Sequence, residues 1–480
     1  MKQSKLSGAI ALTAAQAIVL FLGFIIHPLI GRMLGTAEYG IFGVVLSFQT
    51  IFGIILTLGV PSAVSKFVAQ NNDHAQSILR QALKIQIIIG LCISSLVIIL
   101  SPGASYLLHD ASLTKYFIFI AGVIFLQGLY PIFVQFLSGM HRFNKQALLT
   151  SSYAIAKLIG AISLIYVFRL YGALSGFAVG GVIAALLGWY WTRNIGGIKP
   201  YVIPMKAFLA FAGTYAVILL GLQILMSQDL FMVKAILKND VLAGYYNAAV
   251  NLSRISYMLL QGMAFVLLPS VSALTRPGAS HDKAATFIRD ALRYLIALIV
   301  PSVVLASATS KGLITLFYGI QYEPASPVLT VLIIGLGALS FYLLLANIVA
   351  GAGKAYIALY ITGAMIVVSA ILGAFLIPVY QLQGAAWQTT ISAIIGLVIL
   401  AVYTFRTFRI PYPVKSTIHI ILATSIMILP TYAWKATFFM LPVQYALLGI
   451  IYIGVLWVLG EITEHDTKRV KTLWKKTPVV

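Results

Sequence analysis

Residues 169–192 read RLYGALSGFAVGGVIAALLGWYWT, and the stretch carries no further charge after Arg169. A helix of about 20 apolar residues is long enough to cross the hydrocarbon core of a bilayer. The first eight residues also have a counterpart in the second half of the chain, QLQGAAWQ at 381–388. The stretch therefore predicts a transmembrane helix, and its altered recurrence predicts an internal repeat.

Composition extends the membrane prediction to the whole chain. Of its 480 residues, 61% are hydrophobic and only 9% are charged, with a mean hydropathy of +0.99. A soluble surface needs roughly a quarter of its residues charged, so a soluble protein is excluded. The net charge of +21 occurs without a basic run interleaved with aromatic residues, so we expect no nucleic-acid partner. The single cysteine, Cys92, excludes an internal disulfide and a cysteine-based metal cage, and its apolar neighbours predict that it is buried.

The chain divides into apolar stretches separated by short polar breaks. We predict an all-α integral membrane protein with fourteen transmembrane helices. The predicted spans are 8–31, 39–68, 80–102, 114–138, 146–168, 171–192, 207–236, 241–270, 287–310, 325–350, 355–378, 383–405, 414–434 and 442–461.

The distribution of basic residues predicts the orientation of these spans. Short loops rich in Lys and Arg stay on the cytoplasmic side, and most of the basic residues fall in alternate connections that include both ends of the chain. We therefore expect a multi-pass protein of the cell membrane with both termini cytoplasmic. The basic tail at 463–480 would lie on the cytoplasmic surface, attracted to anionic lipid.

Five landmarks in the first half recur in the same order in the second half. The offsets grow slowly, from 204 through 208 and 209 to 212 residues. The pairs are Gly40 with Gly244, Pro61 with Pro269, Arg80 with Arg289, Gly139 with Gly351, and Gly172 with Gly384.

This duplication predicts two parallel six-helix repeats around a central cavity, since six spans return the chain to the same membrane face. The predicted domains are an N-terminal bundle at 1–200, a second bundle at 201–410, two additional helices at 411–462 and the tail at 463–480. Repeated bundles of this kind are typical of alternating-access carriers.

Charged residues at membrane depth are the candidate substrate contacts, because such charges usually face a partner or a water-filled cavity. Arg254 is the leading candidate, with Asn247 and Asn251 on the same predicted helix face. It would bind an anionic substrate, or alternatively form an interhelical bond. Lys157, midway in its span, is equally compatible with function and structure. Two further basic residues at span ends, Arg32 and Lys66, are secondary candidates that could also be interfacial anchors.

Asp229 is the acid that falls inside an apolar span, with Gln228 beside it. A buried carboxylate can take up a proton or a monovalent cation, so this pair is the candidate coupling site for H⁺ or Na⁺. The alternative is a salt bridge, for example with Arg254. We expect no other cofactor.

Motifs of enzymes are missing from the sequence. There is no HExxH, no pair of membrane carboxylates and no glycine-rich phosphate loop. A membrane-embedded glycosyltransferase or acyltransferase is therefore the least favoured alternative, and we expect that the protein is not an enzyme.

Two segments resemble a known family. The stretch LGFIIHPLIGRMLGTAEYGIFGV at 22–44, and QDLFMVKAILKNDVLAGYYNAAVNLSRISY at 228–257 followed by LLPSVSAL, resemble the polysaccharide transporter branch of the multidrug/oligosaccharidyl-lipid/polysaccharide (MOP) exporter superfamily. The resemblance implies a flippase that moves a polyprenyl (di)phosphate-linked oligosaccharide from the cytoplasmic to the outer leaflet, for the assembly of a surface polysaccharide or glycan.

The charges in the predicted spans also favour the flippase hypothesis. A diphosphate headgroup needs cations, which favours a cavity with Arg over an acid-lined one. The alternative within the superfamily is a cation-coupled multidrug antiporter. We expect the partners to be the lipid-linked oligosaccharide and membrane lipids, and the functional unit to be a monomer.

Overall fold

A computed structural model describes residues 5–256, 281–408, 412–434 and 440–461. These residues form helices connected by short turns, with no strand among them. The tail at 463–480 and the latter part of the predicted span 241–270 lie outside the described residues.

The helices bear out the all-helical membrane prediction. Their bounds are α1 Lys5–Leu34, α2 Thr36–Ile54, α3 Val60–Gln70, α4 Ala75–Leu107, α5 Leu113–Gly128, α6 Tyr130–Gly139, α7 Phe143–Thr192, α8 Met205–Leu225, α9 Gln228–Leu237, α10 Asp240–Ser253, α11 His281–Ala308, α12 Ser310–Tyr318, α13 Ser326–Gly351, α14 Ala355–Phe408, α15 Val414–Ala433 and α16 Met440–Val458.

Eleven helical stretches of the described residues are long and apolar enough to cross a membrane. Two of them, Phe143–Thr192 and Ala355–Phe408, each cover two predicted spans. The eleven thus correspond to thirteen predicted spans, and the remaining one, 241–270, is only partly described. The chain is a multi-pass membrane protein, whereas the count of fourteen stays a prediction.

Helix α7 is a hairpin of two antiparallel arms. Its backbone leaves the helical conformation at Arg169, with φ 50° and ψ −125°. Gly176 and Gly180 of the second arm pack on Ala161 and Lys157 of the first. The break lies between 168 and 171, where the sequence predicted the end of one span and the start of the next.

The second hairpin, α14, turns in the same way. Gln381 has φ 50° and ψ −126°, and lies 212 residues after Arg169. A glycine lies three residues past each turn, close to the opposite arm. A Cβ on Gly172 would collide with the carbonyl oxygen of Leu164, and a Cβ on Gly384 would collide with that of Leu376. The same local backbone therefore occurs twice at the offset read from the sequence.

A helix end also recurs at this offset. His141 with φ 54° and Gly353 with φ 80° follow α6 and α13 in the left-handed conformation. Each is followed by a residue whose amide bonds back to the helix, Arg142 N to Leu137 O at 2.8 Å and Lys354 N to Val349 O at 3.1 Å. This bonding is the Schellman pattern that satisfies the last carbonyls of a helix.

By packing, the described residues fall into two units, one within Met1–Asn251 and Ile366–Gln388, the other within Leu252–Met365 and Thr389–Val480. These units differ from the predicted six-helix bundles, whose bounds stay a prediction. In the first unit, the core is built around α3, α4, α6 and α7, with apolar side chains such as Val64, Ile78 and Phe136 fully buried. Cys92 of α4 is exposed, contrary to the prediction, since its apolar neighbours lie on an apolar outer surface such as a lipid-facing helix presents.

A helix break inside the first unit is stabilised by a buried glutamine. The span Thr36–Gln70 contains a π-helical turn at Ile55–Gly59. Gln86 Nε2 donates to the Leu56 carbonyl oxygen at 2.7 Å and also to the carbonyl of Gly128, where α5 ends. One side chain thus satisfies backbone acceptors at two breaks, in a region without water to do so.

The connection between α7 and α8 is fixed to the start of α4. Gln76 N donates to Gly197 O at 3.0 Å, and Lys199 N donates to Asp73 O at 3.2 Å. Ser77 and Gln81 continue the attachment, as the Ser77 hydroxyl donates to Tyr201 O at 3.0 Å and Ile203 N donates to Gln81 Oε1 at 3.1 Å. We call residues 193–203 the linker strap.

In the second unit, α15 and α16 pack on α11 through an apolar cluster that includes Ile296, Met427 and Leu448. Tyr452 donates to the Ala297 carbonyl at 2.7 Å. Arg293 Nε bonds Glu461 Oε1 at 2.6 Å, and His419 lies 3.2 Å from the other carboxylate oxygen. The two C-terminal helices are therefore bound to α11 by both apolar and polar contacts.

Candidate functional site

Lys157 lies near the middle of the first arm of α7 and is half-buried. Its Nζ is 5.5 Å from the centre of the Tyr153 ring and 5.1 Å from that of Phe177. Gly180 leaves room for the stem, because a Cβ there would lie 2.9 Å from Lys157 Cβ. Within the described ranges, Lys157 has no carboxylate partner and no hydrogen bond. Aromatic faces attract an ammonium group without neutralising it, so a ligand anion could still bind.

A polar ladder adjoins this lysine. Gln49 Nε2 of α2 donates to Gln127 Oε1 of α5, and Gln127 Nε2 donates to the Tyr153 hydroxyl at 2.7 Å. Tyr130 stacks on Tyr153 with ring centres 4.2 Å apart. Amides and aromatic rings beside an ammonium group are the chemistry that a phosphorylated sugar requires. Sequence reasoning singled out Lys157 but missed the ladder, because its members lie on three helices.

Helices α2 and α10 cross where Gly40 meets Gly244. A Cβ on Gly40 would collide with the Asp240 carbonyl, and one on Gly244 would collide with the Thr36 carbonyl. The contact is reciprocal, since Thr36 precedes Gly40 as Asp240 precedes Gly244. Only glycine permits the two backbones to approach this closely. We call this contact the glycine crossing.

The predicted ligands Asn247 and Asn251 lie along this contact between helices. They are 4% and 7% exposed. Asn247 Nδ2 donates to the Tyr39 carbonyl at 3.1 Å, and Asn251 Nδ2 lies 3.3 Å from the Tyr39 hydroxyl. These bonds hold α10 to α2, and a substrate-binding role for the two amides stays a prediction.

Arg254 is not at the centre of one continuous helix, as the sequence predicted. Helix α10 ends at Ser253, and Arg254 occupies a turn directly after it, partly buried. In the turn of α10 before it, Asn251 Nδ2 donates to the Asn247 carbonyl at 2.8 Å. Arg254 belongs to the other packing unit from Lys157.

Asp229 is 3% exposed and lies in the first turn of α9. Its Oδ2 accepts from the Tyr246 hydroxyl at 2.8 Å, and its Oδ1 accepts from the Leu230 amide at 2.8 Å. Gln228 is partly buried beside it, and its Nε2 atom is buried without a hydrogen-bond partner in the described chain. The carboxylate therefore already accepts hydrogen bonds from the protein on both oxygens.

The secondary candidates are exposed. Arg32 lies in the last turn of α1. Lys66 of α3 has its Nζ 4.2 Å from the centre of the Phe211 ring. In the described part of the chain, no group of three or more His, Cys, Asp or Glu side chains is arranged to hold a metal ion.

A buried ion cluster escaped the sequence analysis. Lys234 of α9 is 3% exposed, lies 2.6 Å from Asp110 Oδ2 and also pairs with Asp240. Burial alone would raise the pKa of Asp110, but bonds from Lys234 and Ser112 outweigh it and hold that pKa below its usual value. Asp110 lies in a short loop 124 residues before Lys234. The sequence feature that could have indicated the cluster was a lysine at the end of an apolar helix, with Asp240 six residues later.

A family model described as polysaccharide biosynthesis protein matches residues 6–275, more than half of the chain. An uncharacterized membrane protein of Methanocaldococcus jannaschii is 21% identical over 468 residues, covering 92% of this chain and 91% of its own.

Solved structures share the fold. The lipid II flippase MurJ in an inward closed conformation aligns with a TM-score of 0.77 at 17% identity, covering 94% of this chain and 98% of its own. An inward-facing multidrug resistance MATE family transporter of the MOP superfamily aligns at 0.66, with 15% identity and coverage of 82% and 94%. A MOP superfamily transporter from Pyrococcus furiosus, whose binding pocket is described as reversed in polarity, aligns at 0.59, with 15% identity and coverage of 85% and 97%.

The resemblance read from residues 22–44 and 228–257 is thereby confirmed. The chain belongs to the polysaccharide biosynthesis protein family and has the fold of the MOP exporter superfamily.

Proposed function

We propose that this protein is a flippase that moves a polyprenyl (di)phosphate-linked oligosaccharide from the cytoplasmic to the outer leaflet of the cell membrane. The family match supports the connection with polysaccharide synthesis. The observation that carries the proposal is Lys157, a half-buried ammonium group at membrane depth with aromatic rings, rather than a carboxylate, beside it. A charge kept in this state is costly unless a ligand or water compensates it.

The headgroup chemistry fits this position. A phosphate can displace water from Lys157 and form a charge-assisted hydrogen bond. Gln127 and Tyr130 are partly buried and offer an amide group and a stacking face for the sugar, while the buried Gln49 and Tyr153 hold Gln127 in place by hydrogen bonds. The polyprenyl chain can remain in lipid. Arg254, Asn247, Asn251, Arg32 and Lys66 remain proposed contacts along the substrate's path.

Alternating access between two parallel six-helix repeats around a central cavity is the proposed mechanism. Three features support the duplication: the turns at Arg169 and Gln381, the helix ends at His141 and Gly353, and the glycine crossing. The repeats would occupy 1–200 and 201–410, with the additional helices at 411–462, a cytoplasmic tail at 463–480 and both termini cytoplasmic. The proposed functional unit is a monomer.

A cation-coupled multidrug antiporter is the second candidate, because Asp229 is a buried acid. Its carboxylate already accepts hydrogen bonds from Tyr246 and Leu230, which leaves it less free to bind a cationic drug. In the flippase, Asp229 and Gln228 would couple transport to H⁺ or Na⁺.

Native mass spectrometry of gently purified protein tests the proposal. We expect a co-purifying polyprenyl-phosphate sugar in the wild type and its loss in Lys157→Gln. The matched control is Lys115→Gln, since Lys115 is exposed and its Nζ also lies near a tyrosine ring, 5.1 Å from that of Tyr116. If Lys157→Gln retained the lipid, Lys157 would not be the contact for the phosphate. Bulk phospholipid alone, with mass shifts on adding cationic drugs, would favour the antiporter.

A further inference from the structure

The buried cluster of Asp110, Lys234 and Asp240 connects distant parts of the chain. Asp110 lies between α4 and α5, Lys234 is in the last turn of α9, and Asp240 is the first residue of α10. The ammonium group of Lys234 bonds both carboxylates, and its side chain is almost fully removed from solvent. The cluster therefore joins the first six predicted spans to the next two.

This cluster is continuous with the glycine crossing. The carbonyl of Asp240 is the group that packs against Gly40, while the Asp240 side chain bonds Lys234. Contacts therefore run without a gap from Gly40 through Asp240 and Lys234 to Asp110. Separating α2 from α10 at this end would also pull on Lys234.

The charge and burial of the cluster suit a contact that opens and closes. A buried ion pair is seldom the most stable way to fill a site, because well-packed apolar residues often do at least as well. Charged groups, however, recover hydration when they separate into water. Asp110 and Asp240 are already 17% and 33% exposed, so water reaches the carboxylates before the cluster breaks.

We propose that Asp110, Lys234 and Asp240 form a latch that holds this end of the α2–α10 contact closed. Opening exchanges the two carboxylates around Lys234 for water and separates the glycine crossing. The inference rests on the proposed function in one respect, that a carrier must open this end during its cycle. The charge distribution predicts that this is the outer end, because the neighbouring α1–α2 and α9–α10 connections are the predicted outer loops.

The test measures a distance and does not require the substrate. Nitroxide spin labels are attached to cysteines that replace Ala111 and Lys238, both exposed and close in sequence to the latch, in a Cys92→Ser background. Pulsed electron paramagnetic resonance then gives the distance distribution in nanodiscs. We expect one short distance in the parent protein.

Lys234→Met should add a longer distance, raising its fraction by at least about tenfold, the factor given by 1.4 kcal/mol. The two remaining carboxylates would then repel each other without their shared cation. The triple variant D110N/K234M/D240N should return toward the parent distribution, because it removes that repulsion. Lys234→Arg should keep the short distance. Lys199→Met is the matched control, since it removes one partner of an exposed ion pair with Asp73.

An unchanged distribution in Lys234→Met would overturn the latch. If that variant does not fold, Lys234→Gln carries the test, since it also leaves the two carboxylates without their shared cation and should lengthen the distance. Equal lengthening in the triple variant and in Lys234→Met would contradict the charge mechanism. Native mass spectrometry on the same samples separates the two proposals, because a bound lipid with an unresponsive distance would leave the flippase standing and only the latch refuted.

Discussion

Lys157 and Lys234 are both lysines of membrane-spanning helices, yet their surroundings differ. Lys234 is almost fully buried between two carboxylates. Lys157 is half-buried against two aromatic rings and has no acidic partner in the described residues. The first charge is neutralised by the protein itself, whereas the second has only aromatic neighbours, which is why we propose Lys157 as the ligand contact. The two lysines therefore differ chiefly in the nature of their partners, and the proposed binding role rests on that difference.

The largest effect should come from removing Lys234. Lys234→Met leaves two carboxylates next to each other, and we expect a loss of about 3 kcal/mol of stability, as when one partner of a buried ion pair is removed. Thermal unfolding in detergent, followed by tryptophan fluorescence, measures it. If the melting temperature equalled that of Lys199→Met, the cluster would contribute nothing to the stability of the folded protein.

Lys157→Met, unlike Lys234→Met, should not lower the stability of the protein. The change removes a charge without an acidic partner and fills the site with an apolar chain of similar length, so we expect an unchanged or higher melting temperature. Binding of the lipid-linked sugar should fall at least tenfold, as expected from losing a charge-assisted hydrogen bond of about 1.5–3 kcal/mol. A marked loss of thermal stability would mean that Lys157 is structural, and the comparison with Lys234 would fail.

Asp229→Asn sharpens the comparison from the acidic side. The substitution keeps the shape of the side chain but removes its charge and its ability to take up a proton. If Asp229 couples transport, we expect the dependence of flipping on pH or sodium to disappear in reconstituted vesicles. Unchanged dependence would assign the carboxylate to a structural role through its bonds with Tyr246 and Leu230.

The smallest expected effect is that of pH on the distance between the labels at the latch. The pKa of Asp110 is lowered in the folded protein, so its ionised form contributes stability above its usual pKa of 3.8 and loses it only as the pH falls through the lower folded value. The distance between the labels should therefore stay constant from about pH 8 to pH 5. Lengthening within this range would contradict the assignment of the closed state to the ionised Asp110 carboxylate.

The sequence allowed prediction of features that depend on local pattern. The break between the spans 146–168 and 171–192 was predicted because polar residues interrupt an apolar run, and the structure turns at Arg169. The acid Asp229 was likewise recognised as buried, because it lies in an apolar run. Both inferences need only neighbours in the chain.

Features that depend on distant neighbours could not be predicted in this way. Lys234 lies at the end of the predicted span 207–236, but its partner Asp110 is 124 residues away in the chain. Asn247 and Asn251 formed a visible polar stripe, but only the structure shows Tyr39 of another helix in front of it. The turn at Arg254 was also missed, since apolar residues continue on both sides of it.

The linker strap has a mechanical consequence. Because Gln76, Ser77 and Gln81 hold the backbone up to Ile203, the strap moves as part of the first helices and adds no slack to the covalent tether. After Pro204, which precedes α8, Phe208 and Ala212 of α8 pack into the apolar core of the same first helices. The chain therefore enters α8 as a rigid continuation of the first helices rather than through a flexible loop.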